Sequence, residues 1–400
     1  MIALRFGLTS ALLAGFATAI VVGGWCLWLV VLATVLVGAA ADEIGGDDLE
    51  PVPAAGRWFY QANLYATLPL IGVVTFLYLH LLTSTDPFGF IRWLASVGVP
   101  FAAAGSVTQA GPIVAATMAL GIFYALAAVT VGHELIHRPE RLAVAAGRGL
   151  LAFTFNTQFA ISHVHVHHRH VGTMRDSATA RRGQNVFAFA LQAIVNGARE
   201  AFACEAQRLQ RRGLSAWSWR NRALSGQCWS LAILAATAVV AGAAGVVGIL
   251  AAAVIGRLLH EAINYVQHYG LVREQGAPLE PRHAWDCYRR VSNALHYNLP
   301  RHADHHLAAS KPFWQLQTRR APLLPFGYQT MALIALIPPL WHRKLNPLLD
   351  EWDERFASDG ERRMLRSREA GDQGDRVSGR DVAAEALSGA NSLSMGHEGR

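Results

Sequence analysis

Apolar residues run almost unbroken over positions 9–41, which is too long for one membrane crossing of about 20 residues. Gly23-Gly24 near the middle predicts a tight hairpin between helices over 9–22 and 25–41. No small-residue cleavage site followed by a polar chain appears, so this run reads as retained helices rather than a removed signal. An acidic, polar link over 42–57 precedes a third span at 63–82. Residues 88–132 are apolar for too long to form one helix. Pro100 and Pro112 predict a partial or re-entrant piece, then a fourth span over 109–130. Apolar character returns over 228–258, where Gly242 and Gly245 place a turn between spans at 228–242 and 246–260. Six spans are even in number, so the two polar halves return to one side. A short apolar stretch at 326–341, with Pro338-Pro339 near its end, is expected to lie in the interface. The pattern predicts an all-α integral membrane bundle of about six transmembrane helices with a cap, forming one domain over 1–358. The Arg-, Glu-, Gly- and Ser-rich tail over 359–400 is expected to be disordered.

Composition agrees. Of the 400 residues 52% are hydrophobic and only 16% charged, against about 25% charged in soluble domains. The net charge of +7 does not point to nucleic acid. Its arginines sit beside apolar segments, where the positive-inside rule accounts for them. That rule places the basic region 138–222 and the segment 272–325 in the cytoplasm; a bacterial-type inner membrane is the expected location. Cys26, Cys204, Cys228 and Cys287 have neither disulfide-framework nor iron–sulfur spacing. No dinucleotide fingerprint or P-loop is present either, so electrons for any redox chemistry must come from another protein.

The chemistry lies in 17 histidines, most of them crowded into four stretches. In His133-Glu134-Leu135-Ile136-His137 the two imidazoles share one helix face and can reach one metal. The same five residues fit a zinc HExxH site. In His163-Val164-His165-Val166-His167-His168 the i, i+4 pair is His163 and His167, while His168 points in a neighbouring direction. That one stretch can therefore serve two metals. His165 and His170 lie off the pattern. Asn264-Tyr265-Val266-Gln267-His268-Tyr269-Gly270-Leu271 places His268 just after a span. His302-Ala303-Asp304-His305-His306 groups three imidazoles on one face. Nine histidines thus share matched spacing: His133, His137, His163, His167, His168, His268, His302, His305 and His306. One zinc takes about four ligands, so the set suits two metals with open positions. Neutral nitrogen donors suit iron, copper or zinc.

Over roughly residues 10–355 the sequence resembles the membrane-bound alkane 1-monooxygenases and the hydroxylase subunits of xylene monooxygenases. These belong to the wider superfamily of membrane fatty-acid desaturases and hydroxylases. The resemblance rests on HELIH at 133–137, HVHVHH at 163–168, NYVQHYGL at 264–271, LPRHADHH at 299–306 and PFGYQTMALIALIPPLW at 325–341. NYVQHYGL is the most specific, because general desaturases lack it. The resemblance implies six transmembrane helices, two iron ions on the nine histidines, and O2 as co-substrate. It implies hydroxylation of a methyl group on a hydrophobic hydrocarbon, either an n-alkane end or an alkyl-aromatic methyl. It further implies that Glu134, Glu261 and Asp304 accept from ring N–H groups and so orient the imidazoles. A rubredoxin or ferredoxin-type donor with its NAD(P)H-dependent reductase would supply electrons. Two positions depart from the alkane pattern, with Ser162 and Gln267 standing where Glu is usual. QHYGLVR, HAW and the RRG at 211–213 are closer to the xylene type, whereas LPRHADHH is closer to the alkane type, with Pro300 in place of Gln.

Three other classes compete. A lipid desaturase would use the same metals but remove two hydrogens. A metal transporter would place its ligands near mid-membrane within broken helices, not at span ends. A zinc protease leaves the other seven histidines unexplained. Ala127, Ala128, Val131, Phe153 and Phe155 lie near the boxes and are candidates to line a substrate channel. Arg208, Arg211, Arg212, Arg220 and Arg222 form a candidate docking surface for an acidic electron donor, or serve topology and lipid headgroups.

Overall fold

A computed structural model describes residues 2–83, 86–99, 101 and 110–367. Five helices among them are long and apolar enough to cross a membrane: Ala3–Val22, Cys26–Ile44, Ala54–Leu81, Ala110–Ile136 and Arg222–His268. The first two turn at Gly23 and Gly24, whose φ values of 74° and 65° are favoured by glycine, as the sequence predicts.

The fifth run covers 47 residues, but Gly242 at φ 57° breaks it into two limbs. A Cβ placed on Gly245 would lie 3.1 Å from Thr237 Cγ2, eight residues back. In a straight helix that separation would be about 12 Å. The limbs therefore fold back on each other, with the turn where the glycines placed it. At the far end, Gly226 packs on Thr157 and Gly256 on Thr154, so both limbs end beside the same short segment.

Two expectations are corrected. The fourth helix does not stop at Thr130; it continues to Ile136 and carries His133 and Glu134 within it. Pro112 does not break it, because it lies in the first turn, where a missing N–H leaves no bond unmade. Of the expected re-entrant piece, the described residues hold only a short helix, Phe90–Ser96, while Pro100 lies outside them. The tail is the second correction. Residues 359–367 are helical, and Glu361 is buried against His283 at 2.7 Å and Arg282 at 3.2 Å. Positions 368–400 lie outside the described residues.

Among the described residues three π-helical turns interrupt the helices, at Ala33–Val37, Tyr124–Val129 and His163–His167. Such i→i+5 turns commonly mark functional positions, because they rotate the helix face beyond them. The short helix Arg141–Ala152 packs tightly on the turn carrying His133. A Cβ on Gly147 would come within 2.8 Å of the Gly132 carbonyl oxygen, so only glycine permits this approach.

The acidic link anchors the cap from below. Asp42 accepts from the Ser292 backbone N–H at 2.8 Å and from its hydroxyl. Glu43 accepts from Gly327 N–H at 3.0 Å. Asp48 pairs with Arg5 at 2.6 Å and with Arg301 at 3.1 Å. Arg301 is only 1% exposed, donates also to the Leu316 carbonyl at 2.8 Å, and immediately precedes His302. Removing one partner of a buried ion pair strands the other charge, at a cost of about 3 kcal/mol or more. Asp48→Ala should therefore lower the unfolding midpoint in detergent far more than Asp47→Ala, whose carboxylate is half exposed. Equal midpoints for the two variants would show that the Asp48 pair does not hold the cap.

Candidate metal centre

All nine predicted histidines converge at one end of the bundle, in two groups. His133, His137, His163, His168 and His305 form the first; His167, His268, His302 and His306 form the second. Within each group the facing nitrogens all lie within 4.8 Å of one another. The groups adjoin, since the rings of His168 and His306 are 4.5 Å apart.

The partition of the second box differs from simple helical spacing. His163 groups with His168, and His167 goes to the other group. The π-turn over His163–His167 is the cause: i→i+5 bonding brings residues five apart onto one face. In the fourth box ordinary spacing holds. His302 and His306, i and i+4, share the second group, and His305 points to the first.

The donor set fits a metal. His133 Nε2 lies 2.8 Å from His163 Nε2, which lies 3.0 Å from His168 Nε2. His302 Nε2 lies 2.9 Å from His268 Nε2 and 3.0 Å from His306 Nε2. His137 and His305 bury Nε2 atoms that have no protein partner. Nitrogens converging this way present lone pairs to one another, and shared protons cannot satisfy five of them at once. A cation between them does, since two donors about 2.1 Å from one ion and at right angles stand about 3.0 Å apart. Burial, and then the neighbouring imidazoles, push His163, His168, His302, His305 and His306 well below the usual histidine range. They are therefore neutral, the form in which histidine binds metal.

The orienting carboxylates are not the expected ones. Glu134 accepts from Arg138 at 2.5 Å and from Phe313 N–H at 3.0 Å. Glu261 pairs with Arg257 at 2.8 Å and accepts from Asn264 at 3.0 Å. Asp304 holds Arg319 at 2.5 Å and Lys311 at 3.3 Å. Among the described residues, none of the three bonds a ring of the nine. Each is drawn instead to a cation or backbone donor that its own burial requires. The carboxylate that does so is Asp176, which accepts from His167 Nδ1 at 2.9 Å and from the Thr179 hydroxyl at 2.6 Å. Burial raises the Asp176 carboxyl, but His167 and the Thr179 hydroxyl outweigh it and hold it below the usual carboxylate range. Its sequence signal was faint: a lone acid in a basic loop, nine residues after a ligand-spaced histidine.

An apolar cavity of about 460 Å³ ends on both groups, at His133, His163 and His302. Its wall on the fourth helix is the stripe Met118, Ile122, Leu126, Val129 and His133, spaced by three or four residues. The five residues expected to line a channel do not. Ala127, Ala128 and Val131 face the opposite way and are wholly buried in helix packing, and Phe153 and Phe155 also lie outside the wall. The cavity wall reaches Leu36 and Leu336, which are 56% and 42% exposed on the apolar flank. Of the two departures from the alkane pattern, Gln267 lines this cavity and donates to Tyr328 Oη at 3.2 Å. Ser162 lies outside it, facing Gly197.

His260 also lines the cavity and was not foreseen. Its signal was present, since His260, Asn264 and His268 recur every four residues along one helix face. His165 is exposed and His170 half-buried, both outside the groups. His296 lines the cavity, and His283 is tied to Glu361.

The comparisons agree with this geometry. The fatty acid desaturase family profile matches residues 108–335, a stretch that contains all nine histidines. Alkane 1-monooxygenase 1 of Pseudomonas aeruginosa is 35% identical over 70% of this chain and 74% of its own. Alkane 1-monooxygenase 2 of the same organism is 31% identical over 80% and 83%. The xylene/toluene monooxygenase hydroxylase component XylM of Pseudomonas putida is 33% identical over 59% and 64%. The chain belongs to the fatty acid desaturase family of membrane oxidoreductases. Within that family it groups with the monooxygenases.

Outer partners of metal-bound histidines typically contribute 10–100-fold to metal affinity. Asp176→Ala should accordingly weaken metal retention in the second group by about tenfold or more in a chelator titration, while Glu134→Gln should not. The reverse order would return the orienting role to Glu134.

Proposed function

We propose that this protein hydroxylates a methyl group of a hydrophobic hydrocarbon, an n-alkane end or an alkyl-aromatic methyl, at two iron ions held by the nine histidines. One observation carries the reading: an apolar cavity, reaching an exposed apolar flank at Leu36 and Leu336, ends on both histidine groups. The alkane and xylene/toluene monooxygenases to which the chain is similar support the substrate class.

The first group, His133, His137, His163, His168 and His305, would hold one iron, and the second, His167, His268, His302 and His306, the other. When bound, the irons supply the reduction of O2 and the oxidation of the C–H bond. One oxygen atom enters the methyl C–H bond and the other leaves as water; two electrons and two protons complete the balance. The chain's own residues do the rest. Leu126, Val129 and Met118 hold the hydrocarbon against the histidine end and exclude water. Asp176 fixes the ring of His167. The electrons come from a rubredoxin or ferredoxin-type carrier with its NAD(P)H-dependent reductase.

Purified protein should contain close to two irons per chain, and His305→Ala should lose iron and activity together. Incubation with 18O2 and a hydrocarbon panel should give an alcohol carrying one labelled oxygen. An alkene without label would assign the chain to desaturation, the chemistry that gives the family its name. Full activity with zinc alone would overturn the reading.

The hairpin at Gly242 supports six crossings of a bacterial inner membrane, with the histidine end in the cytoplasm. Reporter fusions at Arg212 and Pro278 should then both give the cytoplasmic signal. Signals from opposite sides would refute the six-crossing arrangement.

A further inference from the structure

A second cavity, polar and of about 580 Å³, lies beside Asp176, the carboxylate that bonds His167 of the second histidine group. Its wall is built by the two segments that follow His167 and His268, by the helix Val186–Gln210 and by Leu365. Gly270 N–H donates to the Ala180 carbonyl at 2.9 Å and Arg273 N–H to the Gly172 carbonyl at 2.8 Å, which joins the segments edge to edge. Asp176 is 5% exposed, lines this cavity, and accepts from His167 Nδ1 at 2.9 Å. A single carboxylate therefore separates the cavity from a ring of the histidine centre.

The rim carries unbalanced positive charge. Arg175, Arg181 and Arg199 line the cavity and are exposed. Among the described residues none of the three forms an ion pair, and Arg199 only donates to Asn196 at 3.4 Å. The cavity's two acids offset part of this charge but lie deeper than the arginines: Asp176 is buried and accepts from His167 and Thr179, and Glu200 is half-buried and accepts from the Ser177 hydroxyl at 2.9 Å, so the exposed rim stays positive. Arg182 is neutralised by Asp353 at 2.6 Å.

The arginines that stood out in the sequence are placed differently. Arg208 and Arg222 both pair with buried Glu205, at 2.8 and 2.6 Å. Arg220 lies over the ring of Trp219. Trp217 and Trp219 are 76% and 79% exposed. Exposed tryptophans among arginines beside an apolar helix are the signature of a membrane interface. That run has the composition of a membrane-surface anchor.

We propose that the electron donor is a small acidic carrier protein that docks over the polar cavity. Its carboxylates meet Arg175, Arg181 and Arg199, and its electrons enter the second histidine group across the Asp176–His167 contact. Each encounter oxidises the donor by one electron, and two encounters supply the pair consumed in forming one alcohol and one water; the protons come from solvent. The proposal rests on the oxygenase reading above and adds where its reductant binds. Opposite charges of this kind raise the encounter rate and are screened by salt, because the Debye length is about 8 Å at 0.15 M.

The test uses the full chain in zwitterionic nanodiscs, an acidic rubredoxin with its reductase and NADPH, and two double variants, Arg175→Glu/Arg181→Glu and Arg211→Glu/Arg212→Glu. At low salt the first should raise the rubredoxin concentration giving half-maximal turnover by about tenfold and abolish the wild-type salt dependence. Single-turnover hydroxylation driven by dithionite should be unchanged in it. The second double variant should behave as wild type. Wild-type rubredoxin dependence in the first, or the tenfold rise in the second instead, overturns the proposal. So does a loss that appears equally with dithionite, which would be structural. A change confined to binding of anionic vesicles would assign the rim to lipid headgroups and also overturn it. Absence of product in the wild type even with dithionite would instead fail the oxygenase reading. Docking is read independently of it, by rubredoxin binding to immobilised nanodiscs.

Discussion

Neutral imidazole nitrogens forced to face one another in a buried space are the constraint on which this structure depends. Left alone, His163 Nε2 would have two other ring nitrogens within 3.0 Å and too few protons to reconcile them. A cation resolves the conflict, and the remainder of the fold serves to keep the rings converged until one binds. The Gly132–Gly147 contact braces the turn carrying His133. The Arg301–Asp48 pair braces the helix carrying His302, His305 and His306. Asp176 braces His167. These braces come from four separate regions of the chain, so the centre and the cap should be gained or lost together.

Much of this was legible in the sequence because it is written in local spacing. Histidines at i and i+4 declare a shared face, long apolar runs declare crossings, and Gly23 and Gly242 declare turns. All nine histidines converge, and the hairpins turn where the glycines stand. What was not legible depends on geometry that local spacing does not encode. The π-turn at His163–His167 reassigns His167 and His168 between groups, and no residue pattern in HVHVHH distinguishes an i→i+5 turn from an α-turn. Carboxylate roles failed for a related reason. Glu134 and Asp304 sit beside ligands in sequence and Glu261 lies about two helical turns before one, but each has a cation nearer in space, whereas Asp176 reaches His167 across a loop. Composition likewise misjudged the start of the tail, because Glu361 is held by the distant His283.

The three π-turns share one further property. Ala33–Val37, Tyr124–Val129 and His163–His167 each contribute residues to the apolar cavity. A widened turn sets a helix face back from its neighbour, so the cavity lies where three helices are locally out of register rather than where side chains are small. Gln267 lies in that wall where the alkane pattern has a carboxylate. A neutral amide there spares the hydrocarbon from approaching a charge.

The flank of the cavity at Leu36 and Leu336 has a consequence for how this enzyme responds to its substrates. A hydrocarbon arriving through that flank comes from the bilayer, so the concentration that governs saturation is its mole fraction among the lipids. Each methylene added to a chain favours leaving water by about 0.8 kcal/mol, or roughly fourfold in partition. Along a homologous series, the apparent aqueous half-saturation would fall by about that factor per carbon even if the site held every member equally well. Preference measured against dissolved substrate is thus a product of two selections, one by the membrane and one by the protein, and only the ratio to membrane content isolates the second.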